Sequence, residues 1–320
     1  MSAHSPDVSV VVATRDREPR LAGLLRALGE QRLDPERFEV IVVDDRSADG
    51  TAELLERTAR TAPFQLTSVS LERGSGPAAA RNAGWTRARA PLVAFTDDDC
   101  EPHPDWLREA VDAAGRRRDS VVVGPTHPLP SEIHLLGPFS RTRESADLSP
   151  WFPTCNIVYP REILARLDGF DESFPEALGE DTDLGWRAVA TGARVRFAPR
   201  ALVYHAVDDV GPLRHLRTAL LGSDAVLAFR RHPELRARGL RFGIVRTPAH
   251  LLLLLALSSV VAARRRRLAS LGALPYLRYL ASRCREANSS LAYAPYFLLY
   301  DSLHLLATVR GDLRHRVLVI

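Results

Sequence analysis

The 320-residue chain contains no lysine; all 43 of its Lys-or-Arg positions are arginine. That absence excludes a Schiff-base lysine, a Walker-type phosphate loop and any other lysine-dependent chemistry. Its three cysteines, Cys100, Cys155 and Cys284, are too few and too scattered for a disulfide framework or a zinc site. They imply a reduced, cytosolic setting. No positive stretch leads into an apolar run at the N-terminus, so no signal peptide is expected. Thr14 to Arg20, after the first apolar run, holds no glycine, which removes the Gly-x-Gly-x-x-Gly fingerprint of a dinucleotide-dependent dehydrogenase. Apolar content of 46% and charged content of 26% exclude a disordered or collagen-like chain.

Acidic residues are scarce toward the C-terminus. Residues 214–320 carry 18 Arg against 5 Asp or Glu, a balance of +13, while residues 1–213 carry 25 Arg against 34 acids, a balance of −9. Two regions of opposite sign suggest two jobs. The division expected is a catalytic domain over 1–211 and a helical region over 212–320 suited to a membrane surface.

The N-terminal region alternates strands and helices. Val8 to Ala13, Phe38 to Val43, Gln65 to Leu71, Leu92 to Thr96 and Ser120 to Val123 read as strands. Glu18 to Gln31, Ala52 to Thr61, Pro77 to Arg89 and Pro104 to Gly115 read as helices. This order predicts an α/β fold, Rossmann-like, with a mostly parallel central sheet flanked by helices. Residues 124–153 have no periodicity and read as a long irregular excursion able to act as a lid. Asp181 to Thr191 reads as a helix closed by Gly192, with short strands at Ala193 to Phe197 and Ala201 to Tyr204.

Ligands of parallel sheets bind outside the carboxyl ends of the strands. The first strand ends in Thr14-Arg15-Asp16, the second in Asp44-Asp45-Arg46-Ser47, and the fourth in Asp97-Asp98-Asp99. Taken singly, such residues cap helices and turns. At three successive strand ends they form an acidic cluster that needs cations. Asp97 and Asp99, two residues apart, are able to face one point, and oxygen ligands suit Mg²⁺ or Mn²⁺. Between them in sequence, Arg73-Gly74-Ser75-Gly76-Pro77 leads into a helix carrying Arg81, which is about one turn in and within reach of a diphosphate. An aspartyl-nucleophile phosphohydrolase also carries Asp-x-Asp, but on its first strand and with a lysine, and this chain has neither.

Six elements in order resemble the family 2 glycosyltransferases of the GT-A, nucleotide-diphosphosugar transferase fold. They are the Val-Val-Val-Ala-Thr-Arg-Asp-Arg strand and turn, Val42 to Thr51, Ala79-Ala80-Arg81-Asn82-Ala83-Gly84, Phe95 to Asp99, Gly169-Phe170-Asp171-Glu172, and Gly179 to Arg187. The resemblance covers roughly residues 7–206. It implies that Thr14, Arg15 and Asp16 form the nucleoside-contacting turn. Arg15-Asp16 replaces the Tyr-Asn of many relatives and leaves the nucleotide preference open. Asp44, with Asp45, matches the acid that accepts from the base ring. Arg81 and Asn82 sit where the family approaches the diphosphate. Asp97, Asp98 and Asp99 resemble the metal-binding Asp-x-Asp, with Asp98 beside the nucleotide and Asp99 the direct ligand. Asp181 matches the general base, Glu180 and Trp186 fall at acceptor positions, and His205 is similar to a histidine completing some GT-A metal sites.

The implied activity is inverting, metal-dependent transfer of a sugar from a nucleotide-diphosphate sugar to an acceptor hydroxyl, with Mn²⁺ or Mg²⁺ as cofactor. No Gln-x-x-Arg-Trp follows residue 187, which favours single addition over polymerisation. At a helix N-terminus, Asp181 is expected to stay ionised because the dipole favours its charge. A degenerate transferase domain serving as a membrane-associated scaffold is the non-enzymatic alternative, and Asp181 together with Asp97 to Asp99 argues against it.

Leu251 to Ala263 is strongly apolar and runs into Arg264 to Arg267; Leu291 to Val309 is apolar apart from Asp301 and His304. A spanning helix needs about 20 apolar residues, and one crossing from the cytosol would place four arginines outside, against the positive-inside rule. Helices lying in an anionic membrane surface, or packed on the catalytic domain, are expected instead. The partners anticipated are a nucleotide-sugar donor, a lipid-linked or cell-envelope acceptor and an anionic membrane, with no nucleic acid. The expected location is cytoplasmic, at the cytoplasmic face of the membrane.

Overall fold

The structure, a computed structural model, describes residues 5–115, 119–174, 179–242, 244–263 and 271–319. The Arg264–Arg267 run lies outside the described residues. The chain divides into two compact units, Met1–Glu132 with Thr142–Ala206, and Ile133–Arg141 with Val207–Ile320.

In the first unit the chain runs β1 (Val8–Thr14), α1 (Glu18–Gly29), β2 (Phe38–Asp44), α2 (Thr51–Thr61), β3 (Gln65–Ser70), α3 (Gly76–Trp85), β4 (Leu92–Phe95), β5 (Cys100–Pro102), α4 (Trp106–Ala114), β6 (Ser120–Val123) and β7 (Thr126–Pro128). After β8 (Ser140–Arg141), which belongs to the second unit, come β9 (Ile157–Pro160), α5 (Arg161–Leu167), α6 (Glu180–Ala190), β10 (Arg194–Phe197) and β11 (Val203–His205).

Seven strands form the main sheet in the order β10-β6-β9-β4-β1-β2-β3. All pairings are parallel except those of β9, which runs antiparallel to β4 and β6. Strand alternation sorts the side chains. Val10, Val12, Val40, Val42 and Ala94 join Leu21, Leu24 and Leu28 of α1 and Trp106 and Leu107 of α4 in one buried cluster. Each fully buried Leu or Val contributes roughly 1.5–3 kcal/mol relative to exposure. On the other face α3 lies so close to β1 that a Cβ at Gly84 would fall 2.4 Å from Val11 Cγ1.

Register carries the strand ends to one edge. Thr14 pairs with Asp44, and Val11 pairs with Phe95, which sets Asp98 level with Thr14. A second sheet, β5-β11-β7, pairs His205 with Cys100, the residue after Asp99.

The expected helices and strands form with shifted ends. The helix expected over Pro77 to Arg89 stops at Trp85, and Arg89 turns back to bind Glu39 through both its backbone N–H and its Nε. β5, β9 and α5 were not anticipated, being short or lacking alternation. The segment 124–153 is not irregular throughout, since β7 and β8 lie within it and Thr126 bridges to Ser145.

The second unit contains β8 paired with β12 (Asp208–Asp209), then α7 (Gly211–Leu220), α8 (Gly222–Arg231), α9 (Pro233–Gly239), α10 (Pro248–Ala263), α11 (Leu274–Glu286) and α12 (Ala294–His315). Leu253, Ala256, Tyr276, Leu280, Cys284 and Phe297 form its core. Asp301 is buried but paired with Arg283 and with the Tyr276 hydroxyl. Leu251, Leu255, Leu257, Val260 and Val261 of α10 are exposed. Among the described residues no helix is long and apolar enough to cross a membrane.

Candidate active site

The turns after β1 and β2 are stitched together by short polar side chains. Asp16 has φ +52°, its N–H donates to Ser47 Oγ at 2.9 Å, and its Oδ1 accepts from the Ala48 N–H at 2.7 Å. Asp49 accepts from the N–H groups of Glu18 and Thr51, tying the start of α1 to that of α2. Buried Asp44 accepts from the Ser47 N–H at 2.8 Å through Oδ1, while its Oδ2 has no protein donor among the described residues. Asp45 is engaged elsewhere, accepting from the N–H groups of Ser75 and Gly76 at the start of α3. Arg15 is largely exposed, 4.0 Å from Asp45.

The acidic triplet divides by direction. Asp98 points back to β1, accepting from Thr14 Oγ1 at 2.8 Å and from Arg17 at 3.1 Å. Burial pushes its pKa up to about 6 against the pull of Arg17. Asp99 takes the same guanidinium on Oδ2 at 2.6 Å, but its buried Oδ1 has no hydrogen-bond partner among the described residues. That orphaned oxygen lies 3.5 Å from His205 Nε2. His205 Nδ1 lies 2.9 Å from the Ala206 carbonyl, a contact that places a proton on Nδ1 and turns Nε2 toward Asp99. Asp99, Cys100 and His205 each place one ligand atom within 4.8 Å of the others. Burial holds the Cys100 thiol well above its ordinary pKa, so the usable donors are oxygen and imidazole nitrogen. That set fits a hard divalent ion.

Asp97 turns the other way. Its Oδ1 takes Arg81 Nη2 at 3.0 Å, and Arg81 Nη1 takes Glu180 Oε1 at 2.9 Å. Burial acts against the Asp97 charge, yet Arg81, joined by His205 and Arg143, holds that carboxyl below the usual range. Arg81 is only 7% exposed, and both its terminal nitrogens are committed to carboxylates. It therefore joins the acidic triplet to the first turn of α6. Asn82 faces away, holding the Phe170 N–H and carbonyl, the Glu172 carboxylate and the Trp85 indole N–H.

α6 begins after Gly179, whose φ of +104° lets the chain turn into the helix. Glu180 is buried, its Oε2 without a hydrogen-bond partner among the described residues, and burial plus the adjacent Asp181 charge push it up to about 7 despite Arg81. Asp181 Oδ1 accepts from the Thr182 N–H at 2.6 Å. Burial raises the Asp181 pKa, opposed chiefly by Arg143. The direction is opposite to that expected from the helix N-terminus alone, because loss of solvent outweighs the dipole here.

The same helix grips the segment before β9. Trp186 is buried and donates its indole N–H to the Pro150 carbonyl at 3.0 Å, while Thr182 Oγ1 donates to the Trp151 carbonyl at 2.8 Å. Phe152, at φ +48°, packs on Gly185, where a Cβ would fall 2.2 Å from the ring. Trp186 thus sits behind Pro150 and Phe152, beneath the exposed Trp151. Sequence reasoning missed Arg17, the cation that neutralises Asp98 and Asp99, and Arg143, whose charge acts on Asp181 and Asp97. Arg17 closes the quoted first motif but no role was read for it, and Arg143 falls in no quoted motif, although an acidic triplet demands such cations.

Residues 92–300 match the family model described as glycosyl transferase family group 2, and residues 9–167 the one described as glycosyl transferase family 2. Similar proteins include validoxylamine A glucosyltransferase of Streptomyces hygroscopicus subsp. limoneus, 29% identical over 73% of this chain and 58% of that protein. Pre-mycofactocin glycosyltransferase of Mycobacterium tuberculosis is 31% identical over 71% and 48%, and the succinoglycan biosynthesis protein ExoO of Rhizobium meliloti 30% over 69% and 68%. The chain thus spans only about half to three fifths of the first two relatives. Among solved structures, the mannosyltransferase PcManGT of Pyrobaculum calidifontis, in complex with GDP-Man and Mn²⁺, superposes with a TM-score of 0.62 at 23% identity, over 97% of this chain and 88% of that one. S. aureus TarS 1-349 in complex with UDP gives 0.53 at 20% identity, over 97% and 92%. These likenesses establish the GT-A fold.

Proposed function

The chain belongs to glycosyl transferase family 2, and from that premise we propose that it moves a sugar from a nucleotide-diphosphate donor to an acceptor hydroxyl with inversion. The observation that carries this reading is Asp99 Oδ1, without a hydrogen-bond partner among the described residues, facing His205 Nε2 at the strand edge that also holds Asp44 and Asp97. The similar mannosyltransferase was solved with GDP-Man and Mn²⁺, and TarS with UDP, which supports a donor of the same chemical class.

Thr14, Arg15, Asp16 and Asp44 line the nucleoside side, with Asp44 Oδ2 left to accept from the base. Asp99 and His205, with Asp97 beside them, would hold Mn²⁺ or Mg²⁺, which when bound neutralises charge on the diphosphate. The acceptor oxygen attacks the anomeric carbon, the bond from that carbon to the diphosphate oxygen breaks, and Asp181 receives the acceptor's proton. Its burial-raised pKa makes it a stronger base than an exposed carboxylate. Arg81 fixes Asp97 relative to Glu180 and hence to Asp181. Glu180 and the segment held by Trp186 border the acceptor, and single addition fits the missing Gln-x-x-Arg-Trp. The basic second unit, with its exposed apolar α10, suits the cytoplasmic face of an anionic membrane and a lipid-linked or cell-envelope acceptor.

The test is a screen of nucleotide sugars for thermal stabilisation with Mn²⁺ present. A donor at a hundred times its Kd stabilises by about 2.7 kcal/mol. Stabilisation that requires both sugar nucleotide and metal is expected; none with any nucleoside diphosphate sugar overturns the reading.

A further inference from the structure

We propose that Arg143 binds the β-phosphate of the nucleotide donor. This rests on the reading that the site takes a nucleoside diphosphate sugar, and it gives to Arg143 the contact that the sequence pattern assigns to Arg81. Arg81 is buried with its two terminal nitrogens on Asp97 and Glu180. Arg17 is likewise engaged with Asp98 and Asp99. Arg143 is exposed and makes no hydrogen bond or ion pair with any described residue. Its five donors are therefore available to an anion.

The backbone on both sides of Arg143 is tied to the site. Thr142 Oγ1 donates to the His205 carbonyl at 3.3 Å. Two residues on, Ser145 and Thr126 exchange backbone hydrogen bonds of 2.8 Å each. The Thr126 hydroxyl contacts Cys155 Sγ at 3.6 Å, and the Cys155 carbonyl accepts from Thr96, the residue before Asp97. Arg143 is thus presented between the histidine and the strand end that offer the metal ligands.

Electrostatics supports the same placement. Although Arg143 reaches solvent, packing around it removes part of its hydration, and acids more than restore the charge, Asp181 foremost and then Asp97 and Glu180 among the carboxylates. Reciprocally, Arg143 is the strongest influence opposing the burial of Asp181. Five carboxylates, Asp97, Asp98, Asp99, Glu180 and Asp181, lie at this end of the site, where Arg17 and Arg81 are committed to them. A diphosphate entering that field is repelled unless a cation with free donors meets it. A guanidinium bridges adjacent phosphate oxygens with parallel N–H donors.

The test compares nucleoside diphosphate with nucleoside monophosphate on the full chain with Mn²⁺ present, by calorimetric titration with UDP and UMP and with GDP and GMP. In the unaltered protein the better-bound diphosphate should exceed its monophosphate; equality there overturns the donor reading itself. Arg143→Ala should weaken diphosphate binding about tenfold to a hundredfold, the loss of one charge-assisted hydrogen-bonding group, while leaving monophosphate binding within about twofold. Arg143→Lys should recover part of the difference. A diphosphate preference unchanged in Arg143→Ala overturns the assignment, as does an equal loss for diphosphate and monophosphate.

Discussion

Replacing Arg81 by Met removes one charge from the most tightly compensated part of the site while keeping the aliphatic stem. Arg81 holds Asp97 and Glu180 at 3.0 and 2.9 Å. Breaking one side of a buried ion pair costs about 3–5 kcal/mol, because the abandoned charge remains buried. The carboxyls escape part of that cost by keeping their protons, and this sets the pH dependence. In the unaltered chain Arg81 holds Asp97 below its ordinary value of 3.8. That stabilisation is therefore fully present above 3.8 and lost as pH falls through the lowered value. Without Arg81, the chief influence opposing burial, the folded-state pKa should rise above the unfolded one, and stability then falls with rising pH. Each carboxyl kept protonated costs about 1.4 kcal/mol per pH unit. From pH 5 to pH 7 that is roughly 2.7 kcal/mol. Arg81→Met should thus lose about 4 kcal/mol at pH 7, and roughly 2–3 kcal/mol less at pH 5. Trp85, Trp106, Trp151 and Trp186 all lie in the first unit, so tryptophan fluorescence in urea follows that unit alone. A loss under about 1 kcal/mol, or one that is the same at both pH values, would refute the clamp.

Asp99→Ala should abolish the Mn²⁺-dependent part of nucleotide-sugar binding with the fold intact; undiminished transfer by this variant would sink the metal assignment. Gly185→Ala drives a Cβ to 2.2 Å from the Phe152 ring and should destabilise the first unit by about 1–3 kcal/mol; a change within about 0.5 kcal/mol would mean that the 150–152 segment is not held as described. The full chain should sediment with anionic vesicles, be released by high salt, and bind less well with Leu255 and Val261 both changed to Gln; indifference to salt and to the double change would contradict the membrane-surface reading.

Much of the first unit was legible because β-branched strands and leucine-spaced helices repeat with the periods of their backbones, as in Val8 to Ala13 and in Leu21, Leu24, Leu25 and Leu28. The convergence of Thr14, Asp44 and Asp97 to Asp99 was also legible, since parallel strands place their carboxyl ends on one edge. What composition and spacing hid was pairing across long sequence distances. Nothing near Arg81 indicates that Glu180, 99 residues away, occupies one side of its guanidinium. Nothing near Trp186 announces that Pro150 takes its indole N–H, which buries a ring that the motif places at the acceptor. β9 escaped notice because Ile157–Pro160 is only four residues long and ends in proline, tolerable where a strand stops. The dipole argument for Asp181 described its helix correctly but left out the burial supplied by the rest of the site.

The central claim is that this site transfers a sugar with Asp181 as the base, and Asp181→Asn tests it most directly. The substitution preserves size and the Oδ1 acceptor for the Thr182 N–H but removes the proton-accepting carboxylate. General-base help is worth about 10²–10⁴-fold. Donor binding, measured by titration of the nucleotide sugar with Mn²⁺, should stay within about threefold, while single-turnover transfer should slow by at least about a hundredfold. Transfer reduced by less than about tenfold would give the base to another group, Glu180 or Asp183 first, and a collapse of donor binding would make Asp181 a structural or ligand-holding residue instead.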